Sequence, residues 1–402
     1  MSHAAPGTTT ESITASTRRA DIDALRALAV VLVLVVHVAQ VFSPWQTWHV
    51  QNVERSKWLA ELSLLPGPWL MSLFMVLAGR SAYHSLARRG NRTYLIERLT
   101  RLALPLVAGV LILVPPQLYV RRVLEGRFSG SFLEFYPHFF EGIYPEGNLS
   151  WGHLWFLAYV LLYGSVGLPL LRVMQKWVQR RRMRWTGVTI CLMVAPWIVL
   201  QALLREPYPQ SNALVADWAN HAQLFPAFLF GFLLAADDGL EAAVSRVRVK
   251  ALVIAIITTL GIAVFAWPGN FGERLPQSYS ITYATFWTVQ GIEAWSGTLA
   301  LSAWARQWRN AQSALLTYGR EAVYPFYLLH QPVLVLLAWP LVRLAWPIAA
   351  EFVALLLLAP VVTLLLYDGL RRWRPARVLL GLKPGATGRA GSGRASVRTP
   401  PT

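Results

Sequence analysis

The sequence predicts an all-α integral membrane protein, a polytopic bundle of about ten transmembrane helices with both termini cytoplasmic. Three observations predict it. Apolar residues make up 55% of the 402-residue chain and charged residues only 14%, too few to coat a soluble fold of this size. Runs of about 20 mostly apolar residues, the length that crosses a bilayer, recur from one end to the other. Basic residues alternate in density between successive connections, as expected of a chain that threads back and forth through a membrane.

Taken in order, the apolar windows place helices at 25–44, 62–83, 100–119, 152–171, 185–204, 218–236, 250–268, 284–305, 322–342 and 346–367. Seven of these are nearly uninterrupted. The sixth, eighth and ninth carry polar residues or prolines, and Pro325, Pro340, Pro347 and Pro360 are expected to kink the last two. With the N-terminus inside, 29 of the 37 arginines and lysines fall on cytoplasmic segments. A wrong helix count would scramble that asymmetry. The net charge of +17 is therefore read as orientation and contact with anionic lipid rather than as a nucleic-acid surface.

Three regions follow. Residues 1–19 are rich in Ser, Thr and Ala, lack the apolar core of a signal peptide and are expected to be disordered. Residues 20–370 form the membrane domain, and 371–402 a basic low-complexity tail. Cys191 is the only cysteine, so no intrachain disulfide forms. The longest outside connection, 120–151, is dense in aromatics; it reads as an interfacial belt or as a platform on which a sugar ring stacks.

Ionisable side chains deep in such helices are costly and mark function by default. In "DALRALAVVLVLVVHVAQVF", His37 follows Arg26 by eleven residues, three turns plus about 20°, so both face one way about 16 Å apart along the axis. Arg26 stands at the cytoplasmic edge and His37 near the midplane. That spacing suits a long anionic molecule that enters at the arginine and ends at an imidazole able to act as general base. The alternative is a histidine packed against a neighbouring helix. Glu293, about 20 Å from the cytoplasmic end of its helix, reaches a similar depth. It would orient His37, relay protons or bond an acceptor hydroxyl, or else bridge helices as a neutral carboxyl. His330, about 12 Å in, is placed to line the same cavity, whereas His153 is expected at the outer mouth. These groups converge only if their helices are neighbours. Arg98 and Arg101, i and i+3 at the cytoplasmic start of the third helix, share a face. With Arg80, Arg88, Arg89 and Arg92 on the same side, they read either as a phosphate site or as ordinary positive-inside charge. No metal is expected, since no histidine cluster has ligand spacing.

These segments resemble the acyltransferase-3 family of integral membrane acyltransferases. The likeness rests on "DALRALAVVLVLVVH", with Arg, ten residues, then His; on the Arg-x-x-Arg of Arg98 and Arg101; and on "HLWFLAYVLLY" (153–163) and "YPFYLLHQPVLV" (324–335). The last two are similar to segments of the branch that includes glucan-biosynthesis succinyltransferases. The resemblance covers about residues 20–370. Ala27 departs from a frequent family glycine, and Arg80 is an unusual charge near the end of the second helix. The resemblance implies a stand-alone bacterial inner-membrane enzyme. It would move an acetyl or succinyl group from cytoplasmic acyl-coenzyme A to a hydroxyl of a carbohydrate or small molecule. His37 would be the catalytic base, assisted by Glu293 and His330, and Arg26, Arg98, Arg101 and Arg80 would hold the donor. The rival reading is a proton-coupled transporter or flippase whose buried His and Glu form a relay; the lack of a clear repeat between the two halves weighs against it.

Overall fold

The computed structural model describes residues 19–382 apart from 46–47, 64, 145, 182, 267–277, 309 and 312. The expected disordered N-terminal segment, except Arg19, and the tail from 383 onward lie outside the described residues. The described chain is helical throughout, with no strand beyond an isolated bridge between Ile143 and Leu149.

The chain opens with α1 (Ala20–Gln40), whose first turn carries Asp21 and Asp23 where the helix dipole favours negative charge. A short α2 (Lys57–Leu62), capped by the Ser56 hydroxyl, leads into α3 (Gly67–Ala87). Then come α4 (Asn91–Arg98), a π-helical turn (Leu99–Ala103), α5 (Leu104–Ile112) and α6 (Val114–Leu124), end to end. The aromatic connection that follows holds α7 (Phe132–His138), started by a capping box between Ser131 and Glu134. Next are α8 (Trp155–Ser165), α9 (Leu168–Arg180), α10 (Gly187–Leu192) and α11 (Ala195–Leu204). They are followed by α12 (Trp218–Ala236), α13 (Asp238–Arg246), α14 (Arg248–Ala266), α15 (Ile281–Ala305), α16 (Ala314–Leu341), α17 (Ile348–Leu370) and α18 (Arg374–Leu379).

Among the described residues eight helical segments are long and apolar enough to cross a membrane, or nine if α8 and α9, bent by 60°, make one span. The sequence predicts about ten. Its eighth span falls on α15, which is 25 residues long but interrupted by Thr, Tyr, Gln, Glu and Ser and buried along much of its length. The prolines expected to kink the last two helices do not end them: α16 runs for 28 residues through Pro325, Pro332 and Pro340, and α17 passes through Pro360.

Two glycines set the tightest helix crossing. A Cβ on Gly79 of α3 would lie 2.0 Å from the Phe228 carbonyl oxygen of α12, and one on Gly231 of α12 would lie 2.0 Å from that of Val76. Backbones approach this closely only where side chains are absent. α14 packs on α15, α16 on α17, and α1 on α16. The last of these contacts builds the site.

Candidate active site

α1 and α16 bring two histidines together. His37 Nδ1 lies 3.0 Å from His330 Nε2, with the rings stacked 11° from parallel. The partner atoms fix how the protons are shared. His330 Nδ1 is 2.7 Å from the Tyr327 carbonyl oxygen, which can only accept, so Nδ1 carries a proton. In neutral His330 the Nε2 lone pair then accepts the Nδ1–H of His37, which leaves the lone pair of His37 on Nε2. That nitrogen makes no hydrogen bond among the described residues. The ring is half-buried, lines a cavity and stacks on Trp48.

His153 joins the pair, which corrects its expected place at the outer mouth. Its ring is 5.7 Å from His330, edge to face, and its Nε2–H donates to the Leu328 carbonyl at 2.9 Å. The reason is local. Pro332 has no N–H to give to the carbonyl four residues earlier, so Leu328 is left with an acceptor that His153 takes. Gln117, within 3.5 Å of His153 Nδ1 and 3.1 Å of the Gln331 amide nitrogen, completes a polar layer beneath the histidines.

The cavity has a volume of about 1070 Å³ and follows α1 from Asp23 and Arg26, past His37, to Gln40. Seventeen residues of helix make that path about 25 Å. One end is cationic: Arg26, Arg98, Arg101, Arg320 and Arg377 line it, with only Asp23 and Glu321 as carboxylates. Arg26 donates to the Ser81 hydroxyl and lies 3.4 Å from Asp23. Arg98 stacks over Tyr94, Arg101 pairs with Glu97 and Arg377 with Glu321. No carboxylate among the described residues pairs with Arg320. The π-helical turn that carries Arg101 widens the helix just after Arg98, a distortion frequent at functional sites. The far end carries one cation, Arg205, buried 3.6 Å from Asp217, and is otherwise neutral, with Gln40, Ser63, Asn212, Asn220 and Gln223 among aromatic walls that include Trp155 and Trp287.

Two expected site residues lie elsewhere. Arg80 does not line the cavity. It is fully buried and donates to Glu241 at 2.7 Å, in a cluster that also brings Arg19 to 2.5 Å and Arg306 to 4.0 Å of the same carboxylate. Burial alone would raise the Glu241 pKa, but the Arg19 hydrogen bond and the charges of Arg80, Arg19 and Arg306 outweigh it and hold the carboxyl below its ordinary value. Glu293 is likewise away from the histidines. Its Oε1 accepts from the Thr259 hydroxyl at 2.7 Å, and its Oε2 is buried without a hydrogen bond among the described residues. Arg320 and Arg377 went unnoticed in the sequence. For Arg320 a signal exists: Arg320, Tyr324, Tyr327 and Gln331 recur at spacings of four, three and four, one face of a helix, and all four line the cavity.

Comparison with known proteins gives the family. An acyltransferase domain model matches residues 19–368. Glucans biosynthesis protein C of Escherichia coli O139:H28 is 21% identical over 338 residues, and its Salmonella heidelberg counterpart 23% over 335 residues. In each case the match covers 78% of this chain and 81% of the relative. No solved structure matches the chain.

Proposed function

The chain belongs to the acyltransferase-3 family of integral membrane acyltransferases, and on that premise we propose that it moves an acetyl- or succinyl-type group from cytoplasmic acyl-coenzyme A to a hydroxyl of a carbohydrate or small-molecule acceptor. The observation that carries this reading is His37, which lines a cavity between a cationic mouth and a mostly neutral far end and is held by His330, buried behind it rather than lining the cavity as expected.

The cationic mouth fits the donor's phosphates. Guanidinium groups bind phosphate oxygens through paired, charge-assisted hydrogen bonds. Arg98 of α4, Arg101 of the π-helical turn and Arg320 of α16 lie around one opening, joined by Arg26 and Arg377. A thin pantetheine arm runs from there along α1, and the distance of about 16 Å from Arg26 to His37 sets its reach. The acceptor hydroxyl meets His37 Nε2, which takes its proton as the oxygen attacks the thioester carbonyl. The carbon–sulfur bond breaks, and the departing thiolate takes the proton back from the imidazolium. His330 acts through His37: held by the Tyr327 carbonyl, it keeps the Nδ1–H of His37 engaged and the basic lone pair on Nε2.

Support for a carbohydrate acceptor is the name of the relatives, glucans biosynthesis protein C, together with the amides and tryptophans of the far end, a lining suited to vicinal hydroxyls and sugar faces. Support for a cytoplasmic mouth and cytoplasmic termini at an inner membrane is the density of basic residues on alternate connections. The length of the cavity would also serve a transporter, which the family assignment disfavours.

The test is chemical. Purified protein in lipid, given labelled acyl-coenzyme A and a glucan acceptor, is expected to release free coenzyme A in step with acylated product. His37→Ala is expected to lower that rate at least about 100-fold while the protein remains folded. Full transfer by the variant, or glucan movement without coenzyme A release, overturns the reading.

A further inference from the structure

α9 does not have the surface of a membrane span. α8 ends at Ser165, close to the cationic mouth: a Cβ on Gly164 would lie 3.4 Å from the Arg98 guanidinium carbon. Pro169 cannot donate to the preceding turn, and the chain swings by 60° into α9. From there Arg172 ties α9 to the α3–α4 connection, through Asn91 at 2.7 Å and the Arg89 carbonyl at 3.0 Å.

Around its axis α9 presents four different sides. Leu168, Leu171 and Gln175 are buried against the protein, within an arc of about 60° at 100° per residue. Opposite them, Leu170, Val173 and Trp177 form a second arc of about 60°, and all three are exposed. One flank between these arcs is polar: Lys176, Gln179 and Arg180 are exposed, and neither cation has an ion-pair partner among the described residues. The other flank holds Met174 and Val178. A helix descending through hydrocarbon has no place for a cationic side along its length. A helix lying flat at the bilayer surface needs this order: protein, headgroups, acyl chains laterally and hydrocarbon beneath.

We propose that α9 lies in the plane of the bilayer at the mouth of the site and is a binding surface for anionic phospholipid. Lys176 and Arg180, followed by Arg181 and Arg184, meet the phosphate headgroups, while Leu170, Val173 and Trp177 enter the acyl chains. α8 then ends at the membrane surface, and α8 and α9 do not together make one straight crossing.

Two measurements on the full chain test this. In a Cys191→Ser background, single cysteines at 170, 173, 174, 177, 178 and 180 carry a nitroxide, and its accessibility to oxygen and to a water-soluble nickel chelate gives depth. The expected depth oscillates with the helical repeat, shallowest at 180 and deepest at 174 and 178. A depth that changes steadily along the helix overturns the proposal, because α9 is then the second half of a span. Separately, wild type and the Lys176→Gln/Arg180→Gln double variant are reconstituted in mixed phosphatidylglycerol and phosphatidylcholine vesicles, and the retained lipid is counted by native mass spectrometry. The preference for phosphatidylglycerol is expected to fall about fivefold for each charge removed. An unchanged preference removes the headgroup role even if the depth profile is as expected.

Discussion

In the proposed mechanism the two nitrogens of His37 have separate roles, and substitution can tell them apart. Nδ1 faces His330 and Nε2 faces the cavity. His330→Ala removes the acceptor that orients the ring; kcat is expected to fall about tenfold with KM for the donor unchanged. His330→Gln, whose amide oxygen can accept the same proton, is expected to restore most of that loss in the same steady-state assay, whereas a merely structural histidine would show no such rescue. At the mouth, Arg98→Gln and Arg320→Gln are each expected to raise KM for acyl-coenzyme A about tenfold, the value of one charge-assisted bond. With an acyl-pantetheine donor that lacks the nucleotide, both variants are expected to match wild type, and a difference there refutes phosphate binding. Several of these residues were readable in advance because helical geometry alone relates Arg26 to His37 and Arg98 to Arg101. The contact between His37 and His330 was not, because it depends on which helices are neighbours. Glu293 shows the converse: depth in a helix was legible, but the direction it faces was set by α14, which supplies Thr259.

At the level of elements, the α3–α12 crossing is the most sensitive joint. Gly79→Ala drives a methyl group into the Phe228 carbonyl, which a rigid backbone cannot move aside cheaply, and is expected to cost about 1–3 kcal/mol or more, seen as a lower thermal midpoint in detergent. The effect should be similar for Gly231→Ala and absent for Gly261→Ala, where a Cβ meets nothing within 4 Å. Such joints are silent in a hydropathy profile, which counts apolar length and not closeness of approach. The same blindness explains the span count. α15 was legible as a helix, but the burial that lets it carry Glu293 comes from its neighbours, and Gln290 lines the cavity. The break after α8 was signalled by Gly167 and Pro169, yet the apolar window 152–171 runs across them. A proline reads differently inside α16, where Pro332 leaves the helix intact and hands a carbonyl to His153.

For the molecule as a whole, Glu241 is a hub that ties Arg19 before α1, Arg80 within α3 and Arg306 at the end of α15. Glu241→Ala leaves Arg80 buried beside an empty site and is expected to destabilise the fold by about 3–5 kcal/mol in chemical denaturation. Because the folded pKa of Glu241 lies below its unfolded value, near 4.3, its stabilisation is present above that value and is lost as pH falls through the folded one. Thermal midpoints followed from about pH 6 down to about pH 3 should drop more steeply in wild type than in Glu241→Gln, and parallel curves would rule the hub out as the cause. The hollow beside α1 carries a different consequence. It runs nearly as far as the hydrocarbon slab is thick. A wet bore of that length would short-circuit the ion gradient a cell maintains. On the proposed function the arginines at one orifice would therefore do a second job, turning back hydronium and metal cations electrostatically so that the passage admits a polyanion without becoming a leak.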